Sequence, residues 1–198
     1  EEPASPHHEA LKEIPDLGGM PVLVGTLHSQ VGVAAAAVKA RAPRARVVYL
    51  MTDGGALPAG FSRLTPRLKE AGLLDAVITA GHAFGGDYEG VTPASGLAAA
   101  RVAAGADVVI AAMGPGVVGT GTPLGTTALE QGPLLDTAGA LGGLPVALVR
   151  ASQADGRERH RGISHHTVTV LTHFTHRPAC VPLSPCADPA LMEQLSAQ

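Results

Sequence analysis

Five short runs in this chain are apolar almost from end to end: PVLVGTL (21–27), ARVVYLMT (45–52), DAVITA (75–80), ADVVIAAM (106–113) and LPVALVR (144–150). A strand with one wet face alternates apolar and polar residues, so a continuous run means that both faces are covered. Helical stretches separate the runs: SQVGVAAAAVKARA (29–42), residues 61–71, a segment opened by Thr92-Pro93 that reaches about Ala104, and a segment opened by Thr122-Pro123. Pro133 is expected to split this last segment into two short helices. Strands alternating with helices predict a doubly wound, mostly parallel α/β sheet of five to six strands with helices on both faces, a Rossmann-like three-layer fold. ACVPL (179–183) supplies the sixth strand, and Ser5-Pro6 opens a short helix ended by Pro15.

The 198 residues suit a single α/β domain spanning 1–198. With 45% apolar and 16% charged residues the chain has a globular balance, and with 3% aromatics its core must be aliphatic. The net charge of −3 gives no general attraction to nucleic acid or an anionic membrane, and neither is expected as a partner. The one basic run, Lys39, Arg41, Arg44 and Arg46, falls where a helix ends, and cations there complement its dipole. No apolar run nears the ~20 residues of a membrane span. Cys180 and Cys186 lack metal-type spacing and read as a reduced pair, so a cytoplasmic location is expected. The chain opens at Glu1 without Met, which points to a missing N-terminal segment.

Ligands of open parallel sheets bind outside the carboxyl ends of the strands. Reading only those ends collects His28-Ser29, Asp53-Gly54, His82, the loop Gly114 to Thr122, and Arg150 to His166. Five of the nine histidines fall there, whereas the turns that enter the strands carry none. His28, Asp53 and His82 are therefore the candidate catalytic residues: histidine titrates near neutrality, and Asp53 either orients it or acts as a carboxylate base. Asp53 before two glycines also fits a plain turn, and His173 and His176 read as structural.

MGPGVVGTGTP (113–123) contains a literal G-x-G-x-x-G at Gly114, Gly116 and Gly119. A dinucleotide fingerprint needs those glycines to open a helix directly after a strand, with an acid ending the next strand. Here the helix signals come later and the next strand ends in Arg150, so nicotinamide or flavin binding is disfavoured and no cofactor is assigned. The loop still lets backbone amides approach an anion, with Gly114, Gly116, Gly119, Thr120 and Thr122 as candidate ligand residues.

RERHRGISHH (157–166) predicts a helix capped by Ser164, its first turn holding His165 and His166. Helix start and arginines converge on an anion, which makes Arg159, Arg161, Ser164, His165 and His166 candidate ligand residues alongside Ser29 and Gly54. Zinc on His160, His165 and His166 is the competing reading. Adjacent helical residues point about 100 degrees apart, so 165 and 166 are expected to be poor joint ligands, and no metal is assigned. A divalent metal held across the pocket stays open.

GTLHSQ, VYLMTDGGALP, TAGHAFGGDYE, MGPGVVGTGTPLG and RERHRGISHHTVTVL together resemble a bacterial family catalogued as domain of unknown function 3866. The resemblance runs from Glu1 to about Pro182. It implies a longer N-terminus with a strand-rich segment, and it implies no reaction. The residues themselves point to an enzyme of transferase or hydrolase type acting on a small anionic, phosphorylated or carboxylated metabolite. A non-catalytic module that senses a nucleotide or metabolite is the alternative, and self-association is left open.

Overall fold

The structure is a computed structural model that describes residues 3–182. Its sheet carries six parallel strands in the order β4-β3-β2-β5-β1-β6: β1 (Pro21–Val24), β2 (Val47–Thr52), β3 (Ala76–Ala80), β4 (Tyr88–Gly90), β5 (Val108–Met113) and β6 (Leu144–Ala147). Helices α1 (Gln30–Arg41) and α2 (Leu64–Glu70) cover one face, where Val31 and Leu68 meet Tyr49, Met51 and Ile110. The other face takes α3 (Pro93–Val102) and α4 (Gln131–Ala140), through Leu97, Leu134 and Leu135 on Leu50, Ile78 and Val109. Every residue of β2 and β3 is buried, as continuous apolar runs require. Each large aliphatic side chain so enclosed contributes about 1.5–3 kcal/mol. Among the described residues no helix is long and apolar enough to cross a membrane.

Two crossovers position the site. From β1 the chain passes over β5 through α1 to reach β2, whereas from β5 it passes over β1 through α4, on the opposite face. The connections leaving neighbouring β1 and β5 thus part to opposite faces, which opens a crevice at their carboxyl ends.

Several boundaries differ from the sequence pattern. Strand one stops at Val24 because the amides of Thr26 and Leu27 donate instead to Gln30 Oε1, at 2.9 and 3.0 Å. Strand five of the sequence ends at Ala147, and Ala151–Ser152 forms β7, paired antiparallel with β8 (Gly162–Ile163). The glycine-rich loop after β3 hides the edge strand β4, anchored where Asp87 accepts from Val77 N–H at 2.8 Å and pairs with Lys69 at 2.8 Å. ACVPL contributes one bridge rather than a strand: Cys180 N–H donates to Pro145 O and Ala147 N–H to Cys180 O. Leu183 and Cys186 lie outside the described residues. The N-terminal helix is reduced to the 3-10 turn Glu9–Leu11. At the far end of α1, Lys39 pairs with Asp75 at 2.9 Å, in keeping with a structural role for the basic run.

Candidate active site at the carboxyl ends of the strands

The loop after β5 is longer than its threonine and proline suggested. Thr122 does not cap a helix; its Oγ1 accepts from Gly125 N–H at 3.1 Å and closes a turn in which Thr120 N–H donates to Gly125 O. Thr126 is the cap, accepting from Ala128 N–H at 3.2 Å, and a 3-10 turn Thr127–Glu130 leads into α4. Pro133 does not split α4 because it lies in the first turn, where a missing N–H costs no helical bond. The helix therefore begins well beyond the three glycines, as the failed dinucleotide fingerprint required. Gly114 has a packing reason to be glycine, since a Cβ there would run into the Met51 side chain.

A cavity of about 200 Å³ opens beside this loop, between the ends of β1, β5 and β6. Its walls include Thr26, Gly119, Arg150, Arg157, Arg159 and His166. Arg150 and Arg157 share Asp155, at 3.3 and 2.9 Å, and the Arg157 hydrogen bonds hold that carboxyl well below the usual carboxylate range. Arg159 lies against Gly121 and has no ion pair among the described residues. Three guanidinium groups against one carboxylate leave an excess of positive charge in a small concave space. Of the ligand residues expected from sequence, Gly119, Arg159 and His166 wall the cavity, whereas Arg161, Thr120, Thr122 and Ser29 are exposed and Gly54 belongs to the β2 end. A groove of about 600 Å³ beside β4 is larger, but His7 and Glu89 are its only ionisable walls apart from the tyrosine.

Helix α5 (His165–His173) begins as the sequence predicted, with Ser164 at its cap and Ser164 Oγ accepting from His166 N–H at 3.4 Å. Ser164 N–H donates to Arg150 O, so the amides of both Ser164 and His166 are taken up within the fold. The expected divergence of His165 and His166 does not occur. Their rings stack with centroids 3.9 Å apart, and His160 joins them at 5.1 and 5.3 Å. One ring nitrogen from each of the three lies within 4.8 Å of the others. The 100° separation of neighbouring Cβ vectors does not keep the rings apart, because the side-chain torsions and not the Cβ directions place them. His160 and His166 are only 3% and 7% exposed, and burial foremost, then neighbouring charge, pushes both down to about 4. His165 Nε2 and His166 Nδ1 are buried with no hydrogen-bond partner among the described residues.

On the other side of the loop the three catalytic candidates are placed differently. His28 is held at both nitrogens, Nδ1 by Tyr49 Oη at 3.1 Å and Nε2 by Ser62 Oγ at 2.8 Å. Ser62 is itself buried and receives Thr65 N–H at the start of α2. Asp53 accepts from His82 N–H at 3.1 Å, with His82 Nδ1 3.4 Å away and the His82 side chain 88% exposed. Gly81 makes this approach feasible: its φ is +68°, and a Cβ would collide with the Asp53 carboxylate. Asp53 and His82 are thus brought together, while His28, Asp53 and His82 are not among the walls of the arginine-lined cavity.

The sequence pattern carries no signal for Glu130. Its carboxylate accepts from Thr52 Oγ1 at 2.7 Å, and burial, with the nearby Asp53 charge, raises it to about 7. Two glutamines are similarly silent in sequence. Gln131 Nε2 donates to Val24 O at 2.6 Å and to Leu148 O at 3.2 Å, and Gln30 reaches Leu148 O at 3.4 Å from the opposite face. Together they tie the end of β1 to the segment that leaves β6.

No curated protein and no solved structure matches the chain. A family model does: it matches residues 1–198, and the chain belongs to the family described as "Protein of unknown function (DUF3866)".

Proposed function

We propose that this protein is a cytoplasmic enzyme of transferase or hydrolase type that acts on a small anionic metabolite, of the phosphorylated or carboxylated class, seated in the cavity beside the Gly114–Thr126 loop. The observation that carries this reading is the convergence of Arg150, Arg157 and Arg159, with Asp155 the one carboxylate paired to them among the described residues, on about 200 Å³ of space at the β1–β5 crevice. Guanidinium forks bind oxyanions through paired charge-assisted hydrogen bonds. Glu130 lies outside the cavity walls, at the β2 end where its carboxylate accepts from Thr52 Oγ1; held at about 7, it is the acid–base group of this reading for a ligand that extends from the cavity toward β2, because proton transfer is most efficient near the working pH. The sensing alternative draws support from His28, whose two nitrogens are both taken up by the hydroxyls of Tyr49 and Ser62, side chains that are themselves buried.

Calorimetry with inorganic phosphate tests the anion site. Arg159→Ala is expected to weaken binding about tenfold or more, the equivalent of one charge-assisted hydrogen bond of about 1.5–3 kcal/mol. Unchanged affinity would remove the reading. Incubation with panels of phosphorylated and carboxylated metabolites, read by mass spectrometry, separates the two alternatives: Glu130→Gln abolishes turnover but keeps ligand in an enzyme, and a sensor shows no turnover to lose.

A further inference from the structure

We infer that His160, His165 and His166 form a binding site for one divalent transition-metal ion of the zinc class, at the edge of the arginine-lined cavity. Three imidazoles present one nitrogen each within 4.8 Å of one another. A tetrahedral zinc with Zn–N of 2.0–2.1 Å needs nitrogens about 3.3 Å apart, so the rings must draw in by at most about 1.5 Å. Two independent details of the histidines favour an ion over a merely packed stack. His165 Nε2 and His166 Nδ1 are buried and have no partner among the described residues, which costs about 1–3 kcal/mol per group unless something arrives to use them. His160 Nδ1 lies 2.8 Å from Ser164 Oγ, which also accepts from His166 N–H. The arrangement in which His160 Nδ1–H donates to that hydroxyl leaves Nε2 with its lone pair free, the outer hydrogen bond that metal-bound histidines usually make.

Imidazole suits zinc, copper, iron or nickel, and the lack of a carboxylate or thiolate in the set disfavours calcium, magnesium and copper(I). Three neutral ligands leave an ion with its full double charge, and the arginines nearby oppose it. That opposition is relieved when an anion enters, and because His160 and His166 also wall the cavity, the fourth position goes to water or to such an anion. The cation site does not depend on the cavity's being catalytic, since its test reads the metal directly.

The test is titration of the tag-free chain with zinc, and with cobalt as its spectroscopic substitute, against a chromophoric chelator. One ion per chain is expected, with affinity lowered about 100-fold or more in His160→Ala and His166→Ala and unchanged in His173→Ala, which alters an exposed histidine of the same helix. Nitrogen-15 spectra of the histidine rings in the unaltered chain keep the outcome readable if either variant fails to fold. Zinc must then shift the ring nitrogens of 160, 165 and 166. Failure to bind at millimolar zinc, or shifts confined to other histidines such as His7 or His176, would overturn the site. Loss of phosphate binding in Arg159→Ala with zinc binding intact separates the fate of this site from that of the anion reading.

Discussion

Both sides of the Gly114–Thr126 loop carry histidines and charged groups at the ends of strands, yet their hydrogen bonding differs in kind. On the β2 side His28 spends both nitrogens on Tyr49 and Ser62, Tyr49 Oη donates to Met113 O at 2.9 Å, and Asp53 is tied to His82. On the β6 side, among the described residues, two buried histidine nitrogens have no partner and Arg159 has no ion pair. Burial of a satisfied polar group is ordinary architecture, whereas burial of an unsatisfied one stores free energy that a ligand can release. Position at a strand end therefore nominates residues, and satisfaction sorts them.

The largest effect tests the satisfied side. His28→Ala deletes two side-chain hydrogen bonds and leaves a void between β2 and α2, which is expected to cost about 3 kcal/mol by denaturant titration. Phosphate affinity of the folded fraction should stay the same. A variant of unchanged stability that lost turnover would instead return His28 to the catalytic set.

Next comes Glu130, the one member of the β2 side under strain. Its folded pKa of about 7 lies above the ordinary 4.5, so its contribution to stability is fully present below pH 4.5 and is lost as the pH rises through 7. Glu130→Gln keeps an acceptor for Thr52 and removes the buried charge. It should gain about 2 kcal/mol at pH 8 and almost nothing at pH 4.5, within the ceiling of 1.36 kcal/mol per pKa unit. Equal effects at both pH values would mean that the carboxyl is not buried in solution.

A smaller effect, and opposite in sense to His28→Ala, is expected on the unsatisfied side. His166→Leu removes a buried nitrogen without a partner and keeps an apolar shape, so in metal-free buffer it should change stability by less than about 1 kcal/mol. The pH profile sharpens this. His160 and His166 have folded pKa values of about 4, below the ordinary 6.5, so the stability they confer is present above pH 6.5 and is lost as the pH falls toward 4. His166→Leu should flatten that acid limb. An acid limb of undiminished slope would show that the trio is solvated and protonates freely.

The fold was legible because its signal is local and repeated: each of the five apolar runs contains a strand of the sheet, and Thr92, Pro93 and Ser164 stand where helices start. The short edge strand β4 was not, because three residues held by Asp87 leave no apolar pattern. Thr122-Pro123 misled because threonine caps turns and helices by the same hydrogen bond, and only the chain's path chose Thr126. At the site, Arg159 and His166 were legible from their place after the fifth apolar run. Glu130 and Gln131 were not, since a polar residue in a helical stretch carries no mark of being aimed at the sheet. The stacking of His165 on His166 was invisible for a related reason: sequence spacing fixes the directions of Cβ atoms, whereas the rings are placed by side-chain torsions.

The smallest effect concerns His82, and it tests whether satisfaction is the right criterion at all. The ring is 88% exposed and 3.4 Å from Asp53, an arrangement worth at most about 0.5 kcal/mol in water. His82→Ala should therefore leave the denaturation midpoint within error, because the hydrogen bond that matters to the loop comes from the His82 backbone N–H, which alanine retains. Binding of phosphate and of zinc should be equally indifferent. The decisive readout is turnover, once a substrate is found. An exposed, unburdened imidazole costs the fold nothing to keep, so a fall of about 100-fold or more in rate, the usual contribution of a general acid or base, would assign His82 to catalysis and show that solvent-facing groups escape a criterion based on burial. No change in rate would leave Glu130 as the acid–base group and place the chemistry between the β2 end and the β1–β5 crevice.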